Sequence, residues 1–252
     1  MSSDNAHARR LLTEARRITV LSGAGISTGS GIPDFRGPQG VWTKDPAAQQ
    51  MFTLQNYVAD PQVRERAWRA RRDNPAWTAR PTAAHRALVD VERGGRLRAI
   101  VTQNIDGLHQ AAGSAAESVI EIHGTMWFVS CLDCEDRMPT QDVLRRLDDG
   151  ETDPACRRCG GILKTATISF GQALDEEVMD AAVDAARDCD LLLAVGSSLQ
   201  VYPAAGLCDV AQGAGARLVV VNAEPTPYDE QADAVVRDPI DEALPRLLSA
   251  VG

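Results

Sequence analysis

The sequence predicts an α/β fold, a Rossmann-like doubly wound parallel sheet into which a small cysteine-bearing module is inserted. Strand-like and helix-like segments alternate along the 252 residues. The strand-like segments are continuous apolar runs, as in a parallel sheet covered on both faces. Two Cys-x-x-Cys pairs fall within one stretch, about 125–165, that interrupts this alternation. A chain of this length fits one large domain with a small satellite.

The first half of the chain combines regular elements with one long insertion. In order, the pattern predicts a helix over 5–17, a strand over 18–21, a helix over about 82–92, and strands over 97–102 and 119–121. The Gly94-Gly95 pair ends the second of these helices. Residues 37–80 are rich in Pro, Gln, Arg and Trp, and we expect short helical segments at best there.

The second half returns to regular alternation after the cysteine module. The predicted elements are a strand over 165–170, a helix over 175–187, a strand over 191–195, a helix over 203–213, a strand over 217–221 and a closing helix over 240–250. Apolar strands alternating with helices in this way are typical of a parallel sheet with helices on both faces.

Composition and charge exclude several classes of protein. The net charge of -9 argues against a broad nucleic-acid-binding surface. No apolar run approaches the roughly 20 residues that a membrane span needs, and the first 17 residues are polar and lack the apolar core of a signal peptide. We therefore expect a cytoplasmic protein with no direct contact to nucleic acid or membrane.

The six cysteines divide into a metal-binding set and a core set. Four of them have the spacing of a zinc ribbon, namely Cys131, Cys134, Cys156 and Cys159. Four thiolates leave no open coordination position, so we expect a structural zinc ion. Cys189 and Cys208 stand alone in apolar or helical surroundings and are predicted core residues.

A glycine-rich turn follows the first strand, but it departs from the turn of hydride-transferring enzymes. Gly23 and Gly25 form a G-x-G, whereas Thr28 stands where such enzymes have a third glycine. The next strand begins only near Leu97, far beyond the roughly 30 residues of a βαβ unit. A dehydrogenase is therefore disfavoured, and the glycine-rich loop after Gly25 is interpreted as a lid that closes over a ligand.

The chain resembles the sirtuins, the NAD-dependent protein deacylases. The matching segments are 23–37 (GAGISTGSGIPDFRG), 102–109 (TQNIDGLH), 123–124 (HG), the two cysteine pairs, 196–199 (GSSL) and 221–222 (VN). They stand in the family's order and extend over about 15–245. The resemblance implies a single catalytic domain over 1–252, with Rossmann-like parts over about 8–124 and 166–250 and a zinc module over about 125–165.

Residue roles follow from this resemblance. His123 matches the catalytic histidine, and Asn104 and Asp106 match residues of the nicotinamide pocket that act with it. The implied NAD contacts are Gly23, Ala24, Gly25, Ser27, Thr28, Asp34, Phe35, Arg36, Trp42, Gln103, Asn104, Ile105, Asp106, Gly196, Ser197, Ser198, Asn222, Ala223 and Glu224. The implied contacts with a peptide substrate are Ile168, Ser169, Phe170 and Gly171.

The implied activity is removal of an acyl group, foremost acetyl, from lysine. The acyl group passes to ADP-ribose and nicotinamide is released, so NAD is a co-substrate and acyl-lysine proteins or peptides are the partners. Mono-ADP-ribosyl transfer and removal of long or other acyl chains stay open as alternatives. Residues 37–43 (GPQGVWT) are similar to the chromatin-associated branch of the family, whose members favour such reactions. A sensor that binds NAD without turnover is disfavoured by the intact His123.

Two departures from the family's pattern concern the substrate. Gln172 stands where a glutamate is usual, and Ser169 where a large apolar residue is usual, so peptide selectivity is open. Desuccinylating sirtuins carry a Tyr-x-x-Arg pair, for which this chain has Trp68 and Arg71. We favour the simpler interpretation of that segment, a surface helix with its arginines in solvent.

Overall fold

The computed structural model describes residues 3–35, 37, 40–45 and 50–251, and its central feature is a parallel sheet. In chain order the strands are β1 (Ile18–Ser22), β2 (Leu97–Thr102), β3 (Val119–Glu121), β4 (Gly124–Cys131), β5 (Arg137–Pro139), β6 (Leu163–Thr167), β7 (Leu191–Val195), β8 (Arg217–Val221) and β9 (Ala234–Val236). Six of them form the large sheet, in the order β3-β2-β1-β7-β8-β9, with every neighbouring pair parallel. The predicted doubly wound α/β class is confirmed.

The strand order reverses at β1, which pairs with β2 on one side and with β7 on the other. The last residue of β1, Ser22, lies opposite Thr102 of β2 and Val195 of β7. In open α/β sheets, ligands bind beyond the carboxyl ends of the strands at such a reversal. The fold therefore points to the loops that follow these three strands.

Helices cover both faces of the large sheet, and others lie between β1 and β2 and in the cysteine module. They are α1 (Ser3–Glu14), α2 (Val41–Lys44), α3 (Leu54–Ala59), α4 (Pro61–Arg72), α5 (Ala83–Arg93), α6 (Leu108–Ala112), α7 (Thr140–Asp148), α8 (Glu176–Arg187), α9 (Leu207–Gly213) and α10 (Ile240–Leu248). Successive strand residues alternate between two cores. Val20 packs with α1, α5 and α10, and Leu21 packs with α8 and α9. Burial of every residue of β1 explains why its sequence is a continuous apolar run.

The cysteine module is built on a three-stranded antiparallel sheet in the order β5-β4-β6. Helix α7 covers this sheet, and Val143 and Leu147 pack against Val129. Trp68 of α4 enters the same core and is fully buried. The module is therefore anchored to the part of the chain that precedes β2.

The structure differs from the sequence-based expectations at several elements, and three of these differences have a clear physical reason. Residues 61–72 form a full helix where only short segments were expected. Asp60 caps that helix and Pro61 is its first residue. Val63, Ala67 and Trp68 form its buried face, but the many arginines between them make the apolar pattern hard to recognise in the sequence. The strand expected over 165–170 lies at Leu163–Thr167 and pairs with β4. Strand β9, with three residues, was missed because so short a segment shows no periodicity.

Two further predictions have different outcomes. Cys189 and Cys208 are buried in the core, as expected. The division into Rossmann-like and zinc-module ranges stays a prediction. Among the described residues, no helix is both long enough and apolar enough to cross a membrane.

Candidate active site

The loops after β1 and β7 meet backbone to backbone. The amide of Gly23 donates to the carbonyl of Val195 (2.9 Å), and that of Gly25 donates to the carbonyl of Gly196 (2.8 Å). A Cβ added at Gly25 would lie 2.7 Å from the Cα of Gly196. Residues Ala24–Ser30 then form a 3-10 turn. The two glycine amides are thus hydrogen-bonded within the protein. The absence of a side chain at these glycines lets the two loops approach closely at the edge where a ligand would bind.

We expect Gly196→Ala to destabilise the protein and to abolish the NAD binding that the resemblance implies. Gly196 has φ +61°, and its added Cβ would lie 2.4 Å from the amide nitrogen of Ile26. Backbone must move to relieve that overlap, at a cost of roughly 2–4 kcal/mol. Thermal unfolding and calorimetric titration with NAD measure the two effects.

Gly213→Ala is the matched control for this prediction. Gly213 ends α9, and a Cβ there meets nothing within 4 Å. This variant should be as stable as the parent or more stable by up to about 1 kcal/mol. Equal stability of the two variants would contradict the packing argument.

The loop after β2 carries two buried polar side chains. Asn104 donates from Nδ2 to the carbonyl of Gly23 and to Ser27 Oγ, both at 3.1 Å. Ser27 Oγ in turn donates to Asp106 Oδ2 (2.7 Å). The other carboxylate oxygen of Asp106 accepts from the amide of Leu108 (2.9 Å). The loops after β1 and β2 are therefore joined by a chain of side-chain hydrogen bonds.

His123 follows β3 at the same edge of the sheet and is half-buried. Its Nδ1 lies 3.0 Å from the carbonyl oxygen of Gln103. A carbonyl only accepts, so Nδ1 carries the proton and Nε2 presents its lone pair. Burial lowers the pKa of His123 below its ordinary value, and the bond to Gln103 partly opposes that shift. At neutral pH the ring is therefore a neutral base with a defined tautomer.

The loop after β7 is tied to the same group. Gln103 donates from Nε2 to Ser197 Oγ (2.9 Å), and Ser197 Oγ also accepts from the amide of Leu199 (3.2 Å). Ser198 next to them is half-buried. The predicted residues after β1, β2, β3 and β7 thus form one connected set.

The loop after β8 is held by an arginine that the sequence analysis did not single out. Arg237 donates from Nη1 to the carbonyls of Asn222 (2.7 Å) and Glu224 (3.0 Å), and it pairs with Asp229. Asn222 also donates from Nδ2 to the carbonyl of Glu224 (2.8 Å), while Ala223 between them is exposed. The loop is therefore fixed in shape, with the Glu224 side chain on the surface.

The predicted lid contributes an aromatic cluster. Phe35 lies 4.8 Å from Trp42 between ring centroids, and Trp42 lies 5.5 Å from Phe170. Phe52, which the sequence analysis missed, packs edge-on to both Phe35 and Trp42. Asp34 accepts from the amide of Gly37 through Oδ1 (3.1 Å). The lid thus presents rings beside the predicted peptide segment.

Two predicted lid residues require separate remarks. Arg36 lies outside the described residues. Thr28 is exposed, and its hydroxyl donates to the carbonyl of Gly25 (2.9 Å).

The predicted peptide-binding segment joins His123 to the lid. The amide of Ile168 donates to the carbonyl of His123 (2.8 Å). The amide of Phe170 donates to the carbonyl of Phe52 (2.7 Å), and Gln172 Oε1 accepts from the amide of Ser169 (3.2 Å). Phe170 and Gly171 are exposed, and Gly171 has φ +81°. The carbonyl of Phe170 also accepts from the amide of Leu54 (3.0 Å), so the backbone of Phe170 is paired within the chain and Gly171 beside it is exposed.

The expectation that Trp68 and Arg71 lie on a solvated helix surface is wrong. Arg71 donates from Nε to Thr165 Oγ1 (2.8 Å) and stacks over Tyr57 and Trp68, both at 5.6 Å. Beside it Lys164 is 2% exposed and donates to the carbonyls of Thr165 and Thr167. Burial, with the charge of Arg71, lowers the pKa of Lys164 to about 7.

The four paired cysteines converge as their spacing predicts. The sulfur atoms of Cys131, Cys134, Cys156 and Cys159 all lie within 4.8 Å of one another. Cys131 and Cys159 are 3.5 Å apart and Cys134 and Cys156 are 3.7 Å apart, measured between Sγ atoms. Tetrahedral zinc with bonds of about 2.3 Å places its sulfurs about 3.8 Å apart. The cluster therefore fits a structural zinc ion.

Sequence reasoning also missed the polar groups that end the strands. Ser22 and Thr102 are buried, and Ser22 Oγ donates to Thr102 Oγ1 (2.9 Å). Trp127 donates from Nε1 to the carbonyl of Asp106 (2.9 Å). A polar last residue in an otherwise apolar buried strand was the available signal for Ser22 and Thr102.

Comparison with known proteins agrees with this geometry. The sequence model of the Sir2 family matches residues 23–203. NAD-dependent protein deacetylase 2 of Streptomyces coelicolor is 54% identical over 235 residues, which cover 93% of this chain and 98% of the relative. NAD-dependent protein deacetylase 1 of Bradyrhizobium diazoefficiens is 46% identical, with coverage of 93% and 91%.

Solved structures give the same result. A Sir2 enzyme superposes with a TM-score of 0.90 at 37% identity and covers 100% of this chain and 98% of its own. Another, a Sir2 variant bound to a deacetylated peptide and 3′-O-acetyl-ADP-ribose, has a TM-score of 0.88 at 35% identity and 96% coverage of both chains. The chain belongs to the Sir2 family.

Proposed function

We propose that the chain is an NAD-dependent protein-lysine deacylase, foremost a deacetylase, that transfers the acyl group to ADP-ribose and releases nicotinamide. The observation that carries the proposal is the state of His123. Its Nδ1 proton is committed to the Gln103 carbonyl, and Nε2 is left as the acceptor at the ligand edge of the sheet. The names of the relatives and the bound product of the Sir2 variant support the same reaction.

The protein residues then have separate roles. NAD supplies the electrophilic ribose carbon and the hydroxyl groups of that ribose. His123 Nε2 accepts a proton from a ribose hydroxyl, as a neutral imidazole does near pH 7. Asn104 and Asp106, held by Ser27, shape the pocket for the nicotinamide group. The rings of Phe35 and Trp42 exclude water from the reacting carbon.

Further contacts are assigned to NAD as part of this proposal. Residues Gly23 to Thr28 and Gly196 to Ser198 approach the phosphates, because their loops meet at the reversal of strand order. Asn222 and Glu224 face the adenosine ribose. Residues Ile168 to Gly171 bind the acyl-lysine peptide by strand addition, supported by the exposed position of Gly171 beside the lid rings.

We also propose a cytoplasmic location. The support is the cysteine cluster, since a reducing compartment disfavours disulfides and keeps four thiols free to bind a metal ion. Fractionation of cells that produce the tagged chain tests this proposal.

The test of function is a peptide panel. Peptides that differ only in acetyl, succinyl or long-chain acyl lysine are incubated with the protein and NAD, and masses are recorded. Loss of acyl mass, with O-acyl-ADP-ribose formed in equal amount, is the expected result. The His123→Ala variant is the control and should form both products far more slowly than the unaltered protein.

Mono-ADP-ribosyl transfer is the second candidate, because the same pocket would activate the same bond of NAD. The lid motif over residues 37–43 favours it. Consumption of NAD with every acyl group retained, and with ADP-ribose mass added to protein, would replace the first proposal by this one.

A further inference from the structure

Two buried imidazoles lie beneath the candidate site, outside the chemistry assigned above. His85 on α5 and His109 on α6 are 0% and 1% exposed, and their ring centroids are 4.9 Å apart. Each is connected to a different part of the chain. His85 belongs to the capping box of α5, and His109 reaches the end of β1.

The neighbours fix which nitrogen of each ring carries the proton. The amide of Thr82 donates to His85 Nδ1 (3.2 Å), so the proton of His85 is on Nε2. Ser22 Oγ uses its own proton toward Thr102 Oγ1, so it accepts from His109 Nε2 (2.9 Å). His109 therefore has its proton on Nε2 and a bare lone pair on Nδ1.

The remaining nitrogens are complementary. In the part of the chain that the structure describes, His85 Nε2 and His109 Nδ1 are buried and have no hydrogen-bond partner. The first is a donor and the second an acceptor, on rings that already touch. Unpaired buried polar groups are costly, and a hydrogen bond between these two atoms would remove both penalties.

Both rings stay neutral in this environment. Burial lowers the pKa of His109 to about 3, with a smaller effect of His85. Burial also lowers the pKa of His85. Asp106 and Asp241 oppose that shift, and Arg86 reinforces it. While both rings are neutral, each keeps its proton on Nε2, so the donors and acceptors between His85 and Ser22 do not change.

We propose that His85 Nε2 donates to His109 Nδ1 and that this imidazole pair positions Asn104. The path runs from His109 Nε2 to Ser22 Oγ, then to Thr102 Oγ1, which also accepts from the amide of Asn104 (3.1 Å). His109 is thus a positioning residue for the nicotinamide pocket. The expected effect on catalysis rests on the proposed function. The hydrogen bonds themselves do not depend on it.

The hydrogen bonds are tested on the protein without NAD. The chain has four histidines, so long-range ¹H–¹⁵N spectra of the imidazoles resolve each ring. We expect Nε2–H tautomers for His85 and His109 and an Nδ1–H tautomer for His123, and we expect no titration of His109 between about pH 5 and 9. Ser22→Ala should shift the His109 signals. An Nδ1–H tautomer of His109, or its titration in that range, would overturn the proposal.

The positioning role is tested with a pair of substitutions. His109→Leu removes the donor to Ser22 and should lower kcat/KM for NAD about 10- to 100-fold. It should also speed amide hydrogen exchange at Asn104. His109→Gln keeps an N–H at the position of Nε2 and should recover most of the rate.

The outcomes separate this proposal from the proposed function. If the unaltered protein has no deacylase activity, the proposed function fails, while the spectra and the exchange at Asn104 still decide the hydrogen bonds. If the unaltered protein is active and His109→Leu matches it, the positioning role is wrong. Should His109→Leu not fold, Ser22→Ala takes its place, with the same rates and the same exchange measurement.

Discussion

Substitution of His123 by alanine is expected to slow deacylation by about 10²- to 10⁴-fold while NAD still binds. A positioned general base contributes an effect of that size. His123 touches Gln103 only through Nδ1 and the backbone carbonyl, so its loss leaves the bonds among Asn104, Ser27 and Asp106 in place. Single-turnover kinetics and calorimetric titration with NAD measure the two quantities separately. A variant that fails to bind NAD would assign His123 a structural role instead.

The pH dependence of the unaltered protein follows from the same residue. Only the neutral imidazole accepts a proton, so activity is lost as pH falls through the pKa of His123. Burial lowers that pKa below 6.5, and the acidic limb of kcat/KM should therefore have its midpoint below 6.5. Activity should be flat from there to neutral pH. A midpoint near pH 7 or above would contradict the geometry.

Removal of the metal ion is expected to unfold the cysteine module and abolish activity. Binding of structural zinc contributes about 10–16 kcal/mol in small zinc domains. Cys131 and Cys156 are themselves part of the buried core of the module, so loss of the metal ion also disturbs its apolar packing. The loss reaches the site since Gly124, next to His123, pairs with Thr167. We expect Cys156→Ser, or strong chelation, to lower Tm by about 10 °C or more.

Cys189→Ala is the matched control for the zinc prediction. Cys189 is buried, as Cys156 is, but it lies in the core under α8, away from the cluster. This variant should keep one zinc ion per chain by elemental analysis and should keep its activity. Activity of Cys156→Ser without bound zinc would refute the structural role of the metal.

The large sheet was predictable because its strands are buried on both faces. Short, continuous apolar runs of this kind predict buried strands. Three strands match their expected limits, namely Leu97–Thr102, Leu191–Val195 and Arg217–Val221. Helix α4 was not predictable in the same way. Its stability depends on burial of Trp68 in the zinc module, a contact between segments about 60 residues apart that local periodicity does not encode.

The candidate site was predictable in its residue types and less so in its connections. The motifs name His123, Asn104 and Asp106, but the tautomer of His123 depends on a carbonyl brought in by another loop. No motif marks Arg237 in the sequence, and its hydrogen bonds to the carbonyls of Asn222 and Glu224 are evident only from the structure. Side-chain hydrogen bonds across loops are set by the fold as a whole.

Lys164 has a consequence for the protein's own chemistry. The chain contains two lysines, Lys44 and Lys164. A neutral amine is the form that attacks activated acyl groups, and a pKa of about 7 leaves much of Lys164 in that form near neutral pH. Its burial withholds that amine from acyl donors in solution, whereas Lys44 is exposed. A family member that acts on lysine thus leaves one side-chain amine, that of Lys44, open to spontaneous acylation, and peptide mass mapping would locate the added group there.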